Sequence, residues 1–161
     1  MASASGTCQM ADTLDDLSAW LTPLLMRLQP AQRAKLAREA AKRIRRTQQQ
    51  RILVQRNPDG TAFTPRKART LRSKQGRIKA RAKMFTKLRT ARYLKAGGNA
   101  AEATVSFAGR ISRIARIHQY GLRDRPGKGM PDVQYAKREL LGFAPGDRDM
   151  LSDLLLEHLT L

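Results

Sequence analysis

The stretch PAQRAKLAREAAKRIRRTQQQRILVQRNPDG, Pro30 to Gly60, decides how the rest of the chain is read. Pro30 stands where the first turn of a helix tolerates a missing N–H. Leu36, Ala37, Ala40, Ala41, Ile44 and Ile52 then recur at helical spacing and form a thin, alanine-rich apolar face. Arg33, Lys35, Arg38, Lys42, Arg43, Arg45 and Arg46 cover much of the remainder. The pattern predicts a helix from about Pro30 to about Gln55 whose small residues let a neighbour approach closely. Asn57-Pro58-Asp59-Gly60 stops it, because Pro58 disfavours helix at Asn57 and Gly60 readily takes positive φ.

Towards the N-terminus, Thr13 and Asp16 make a capping pair ahead of Leu14, Leu17, Leu21, Leu24, Leu25 and Leu28, which predicts a preceding helix kinked or restarted at Pro23. Towards the C-terminus, Thr61 to Ala82 has little apolar periodicity and reads as a basic extended arm or loose hairpin. Met84 to Leu94 reads as a short helix ended by Gly97-Gly98-Asn99. Ala103 to Phe107 alternates as a strand, whereas Ile111, Ile114 and Ile117 leave helix and strand both open for Ile111 to Tyr120. Gly121 to Pro131 reads as a loop, and an extended piece follows through Val133 and Tyr135. Asp147 is the expected N-cap of a last helix bearing Met150, Leu151, Leu154, Leu155 and Leu159. The fold class is therefore α+β: a small antiparallel sheet packed with N-terminal and C-terminal helices, plus a long basic arm at about 61–82. Residues 1–10 form a leader outside a single domain over 11–161.

The 161 residues are 41% hydrophobic and only 5% aromatic, enough for one core built mainly from Leu, Ile, Val and Ala. The net charge of +19 is concentrated: Arg27 to Arg92 holds 22 Lys and Arg against two acids, Glu39 and Asp59. Such a segment calls for a polyanion or an acidic protein surface as partner. Cys8 is the single cysteine, so thiolates build neither an intrachain disulfide nor a metal site. The leader lacks a basic n-region and an apolar h-region, and no apolar run approaches the roughly 20 residues that span a bilayer. The expectation is assembly in the cytoplasm without a membrane, and Met10 is an alternative start.

Catalytic constellations are sparse. His118 and His158 have no cysteine or paired carboxylate nearby in sequence, and Gly127-Lys128-Gly129 lacks the spacing that wraps a phosphate. Asp147, Asp149 and Asp153 are explained by capping and the helix dipole rather than by a metal. No catalytic residue, cofactor or metal ligand is expected. The basic segment suits non-specific phosphate binding, but zinc-finger spacing, RNP-type aromatics and helix-turn-helix signals are missing. A basic, non-specific nucleic-acid-binding protein is thus the alternative to a protein-facing surface.

Several stretches together resemble the phage virion morphogenesis family of contractile-tailed temperate phages. They are Leu14-Asp15-Asp16-Leu17 with Leu28 to Arg33, Arg46 to Ile52 leading to Asn57-Pro58-Asp59-Gly60-Thr61-Ala62-Phe63, Met84 to Arg92, and Phe107 to Arg110 continuing through Ile114 to Asp124. Tyr135 to Phe143 ahead of the acidic-capped helix extends the likeness. The resemblance implies a structural virion protein that finishes the tail and enables head-tail joining, as a homo-oligomeric ring at the tail or neck, touching tube, sheath or head connector. It implies no catalytic residues. On this reading Arg43, Arg46, Arg51, Arg66, Lys67, Arg69, Arg72, Lys74, Arg77, Lys79 and Arg81 are candidates for protein interfaces or for contact with packaged DNA. Phe63, His118, Tyr120 and Arg123 are candidate structural interface residues.

Overall fold

The computed structural model describes residues 28–66 and 83–159, with Ala19, Thr22, Pro23 and Met26 ahead of them. Those four carry helical backbone, except that nothing of Thr13, Asp16 or the leucines from Leu14 to Leu25 lies within the described residues. Most of the arm, 67–82, also lies outside them.

Helix α1 spans Pro30–Leu53, with Pro at its first position and the Gln32 side chain accepting from the Gln29 N–H at 3.0 Å. It ends earlier than the Asn57-Pro58 signal. Gln55 adopts the left-handed conformation, φ 61°, and its side chain holds Met84 twice: the Met84 N–H donates to Oε1 at 2.6 Å and Nε2 donates to the Met84 carbonyl at 2.9 Å. Asn57 to Thr61 then make a turn, with the Asn57 N–H on the Thr61 carbonyl and the Asp59 carboxylate accepting from the Thr61 N–H. An isolated bridge between Arg56 and Ala62 closes it.

Strands β1, Leu94–Gly98, and β2, Ala103–Phe107, form an antiparallel hairpin in which Leu94 faces Phe107 and Gly98 faces Ala103. The Ala108 N–H donates to Tyr93 O and the Asn99 N–H to Glu102 O. Lys95 with Ser106 and Gly97 with Thr104 are therefore the hydrogen-bonded pairs, because such pairs alternate along an antiparallel ladder. The hairpin packs on α1. The small-residue face receives a strand: a Cβ on Gly98 would lie 2.7 Å from the Ala37 backbone carbon. Helix α2 spans Ile111–Tyr120 and settles the open choice there. It stops at Gly121, φ 65°, where an added Cβ would also meet the Lys137 backbone at 3.1 Å. Strands β3, Arg123–Asp124, and β4, Val133–Gln134, pair antiparallel, the first inside a stretch expected as pure loop. Helix α3 covers Pro145–Leu159.

Two expectations are corrected here. Met84 to Tyr93 is a run of turns rather than a helix, with Phe85 left-handed at φ 61°, and Gly97 and Gly98 belong to β1 rather than ending a helix. Asp147 is the third residue of α3, not its cap; its carboxylate reaches back to the Ala144 N–H at 2.8 Å, the carboxylate half of a capping box.

The core has two parts joined by α1, which at about 1.5 Å per residue is roughly 36 Å long. Leu36 near its start packs with Leu154 and Leu155 of α3, with Leu28 and Ala40 alongside. Ile52 near its end packs with Phe63, Met84, Ala115 and Leu140. Ile52, Leu94, Leu140 and Leu154 are fully buried, each contributing about 1.5–3 kcal/mol.

Candidate functional site

At the Ile52 end of α1, polar side chains take the place of a sheet. The chain from Ala136 to Gly142 carries no regular secondary structure, and buried backbone groups need partners. Side chains supply them. The Glu139 N–H donates to Asn57 Oδ1 at 2.9 Å, and the Arg51 guanidinium donates to the carbonyls of Glu139 at 2.7 Å and Leu140 at 3.0 Å. Gln119 holds Leu141 in both directions at 2.8 and 2.9 Å, and Gln48 Nε2 donates to the Gly142 carbonyl at 2.9 Å. Gln49 Nε2 donates to the Arg89 carbonyl at 2.8 Å, bringing in the turns after the arm.

Two buried cations anchor this cluster. Arg51, 8% exposed, also donates to Gln48 Oε1 and to the Arg56 carbonyl. Burial lowers its pKa, opposed by Asp147, Glu139 and Asp59. Arg138, 6% exposed, donates to the carbonyls of Thr64 at 2.7 Å and Pro65 at 3.1 Å, tying down the start of the arm. Its pKa is lowered by burial and then by Arg66. A guanidinium only donates, so His118 Nδ1, 3.2 Å from Arg138, is the acceptor and the ring proton sits on Nε2. Burial, then the Arg138 charge, lowers the His118 pKa to about 4. The ring stands between Phe85, at 4.8 Å, and Tyr135, at 5.1 Å, and Phe85 meets Phe63 edge-on at 5.9 Å. These contacts lock the two ends of the arm, Phe63 to Pro65 and Met84 to Phe85, side by side.

The cluster gathers residues from each of the motif stretches between Arg46 and Phe143. A model of the phage virion morphogenesis family matches residues 12–160. The chain belongs to that family. Tail completion protein S of Escherichia phage P2 is 40% identical over 140 residues, which cover 86% of this chain and 92% of that protein. No solved structure matches the chain.

Within this family member the charge-based candidates divide. Arg46 is exposed on α1. Arg43 joins α1 to α3 through Glu157 at 3.1 Å, with Glu39 at 3.6 Å. Arg51 is a buried cation fastening backbone, so it has no surface to offer a partner. Arg66 is exposed, while Lys67, Arg69, Arg72, Lys74, Arg77, Lys79 and Arg81 lie outside the described residues. Phe63 is core, 4% exposed; Tyr120 is 64% exposed and Arg123 is exposed on β3. His118 is half-buried and faces a cation rather than a nucleophile or carboxylate. Among the described residues no group of His, Cys, Asp or Glu is arranged to hold a metal, and no helix is long and apolar enough to cross a membrane.

Sequence reasoning missed Gln48, Gln55, Asn57, Gln119 and Arg138. For Gln48 a signal existed: Ala37, Ala41, Ile44 and Gln48 continue one stripe at spacings of three and four, so a polar residue stands where the pattern calls for an apolar one.

Proposed function

We propose that this protein completes the phage tail and enables head-tail joining, as a structural, non-enzymatic component of the virion. The observation that carries the reading is the 40% identity to tail completion protein S across 92% of that protein's length. The site supports it: the polar groups of the motif cluster are consumed in fastening backbone, the work of a rigid scaffold. The protein acts as a homo-oligomeric ring at the tail or neck junction. Each subunit then meets its neighbours through two different patches, as closed rotational symmetry requires. Arg46, Arg66 and the basic residues from Lys67 to Arg81 face neighbouring tail, sheath or connector proteins and make non-specific contact with packaged DNA. Sequence-blind phosphate attraction suits a passage through which DNA must move.

Electron microscopy of lysates from a phage lacking this gene, with and without the gene restored in trans, tests the reading. Full heads beside unattached or misbuilt tails, rescued by complementation, are expected. Normal infectious particles overturn it.

A further inference from the structure

Among the described residues, the hydrogen-bonding register of the β1–β2 hairpin leaves one side of β2 without a partner. Ala103, Val105 and Phe107 stand in the non-hydrogen-bonded pairs, so their N–H and C=O groups point away from β1. Among the described residues no further strand takes them up. An open groove of about 380 Å³ runs beside this edge, with Val105, Ser106 and Phe107 on one side, Ser112, Arg116 and Tyr120 of α2 on the other, and Ala115, Gln119 and Leu141 of the core and polar cluster also in its lining. Three consecutive strand residues line it, as expected of a groove along a strand's edge, since Ser106 points to the opposite face from its neighbours.

We propose that this groove is a strand-addition site: an extended segment of a partner protein, alternating apolar and acidic residues, lies against β2 as the third strand of the sheet. Backbone bonds to Ala103, Val105 and Phe107 hold it, its apolar side chains meet Val105, Phe107 and Tyr120, and its acids meet Arg116. Charge selects the occupant. Arg116 on α2, which lines the groove, and Arg110 just ahead of the helix are exposed and make no salt bridge among the described residues, whereas Arg113 is already paired with Asp124. Glu102, at the far tip of the hairpin, is the nearby acid along the strand. A second copy's basic segment, eight Lys and Arg between Arg66 and Arg81, would be repelled. The edge follows from the fold; only the expectation that the partner is a virion protein rests on the tail-completion reading.

The test is photo-crosslinking from Ser112→p-benzoylphenylalanine in the full chain during phage production, with the adducted peptide sequenced. The expected adduct is an extended, acidic segment of a different chain. Val105→Pro removes an N–H that the hairpin does not use, and Arg116→Glu reverses the groove's charge; each lowers the adduct about tenfold, while thermal melts stay near those of the parent. No adduct, an adduct with this chain itself or with nucleic acid, or full yield from a folded Val105→Pro protein overturns the proposal. Should Val105→Pro fail to fold, undiminished yield from Arg116→Glu overturns it instead. An acidic adduct from a protein outside the virion upholds the edge and sinks the tail-completion reading.

Discussion

Lowering the pH from 7 to 4.5 should destabilise this protein through His118. The ring is neutral in the folded state because burial and the Arg138 charge both oppose protonation, which brings its pKa to about 4 against 6.5 for a free side chain. The unfolded chain therefore binds the proton first, and stability falls with pH below 6.5 until the folded ring also titrates near 4. Between pH 7 and 4.5 linkage gives roughly 2.4 kcal/mol, which we discount to about 2 kcal/mol because the ring is only half-buried and partly screened by solvent. Urea unfolding at the two pH values reads this as a midpoint shift of about 1 M for a slope near 2 kcal/mol/M. His118→Phe keeps an aromatic ring between Phe85 and Tyr135 and removes the titration. Its stability should change by about 2 kcal/mol less than that of the parent over the same range. The lowered pKa values of Asp59 and Asp124 put their titration below this window. Equal stability of the parent at the two pH values, or an undiminished pH dependence in His118→Phe, would refute the reasoning.

Three further substitutions probe the scaffold. Arg51→Met strands the Leu140 carbonyl and the Gln48 amide oxygen in the interior, frees the half-buried carbonyls of Glu139 and Arg56, and should cost about 3–5 kcal/mol by chemical denaturation, whereas exposed Arg46→Ala should stay within about 0.5 kcal/mol. Gly98→Ala forces a methyl to within 2.7 Å of the Ala37 backbone, so α1 and the hairpin must separate at a cost of about 1–3 kcal/mol, read as a lower melting temperature. Gln119→Leu removes both bonds to Leu141 and should cost about 2 kcal/mol, with faster hydrogen exchange at the Leu141 amide as its local signature.

The elements written in local periodicity were legible: α1 in its alanine stripe, β2 in the alternation of Ala103 to Phe107, α3 in its leucines. Strand β1 was not, because Leu94-Lys95-Ala96-Gly97-Gly98 contains no β-branched residue and two glycines. Its conformation comes from pairing with β2 and from the close approach that Gly98 permits, both non-local causes. The turns after Met84 escaped for a related reason. A left-handed Phe85 contradicts residue preference and persists because its ring is held between Phe63 and His118. The candidate site was half legible: the charge marked Arg51 as important but misread it as surface, since nothing local says that a guanidinium will be used up on the carbonyls of residues almost ninety positions away.

The edge-on contact of Phe63 with Phe85 gives the chain a modular grammar. Whatever the 21 residues between them do, they leave and return at one fixed point, so their length is nearly independent of the core that holds it. Doubling such an excursion costs only about 0.6 kcal/mol of closure entropy. Between the anchored Pro65 and Met84 the interval can therefore change its length at little cost to the clamp beneath it.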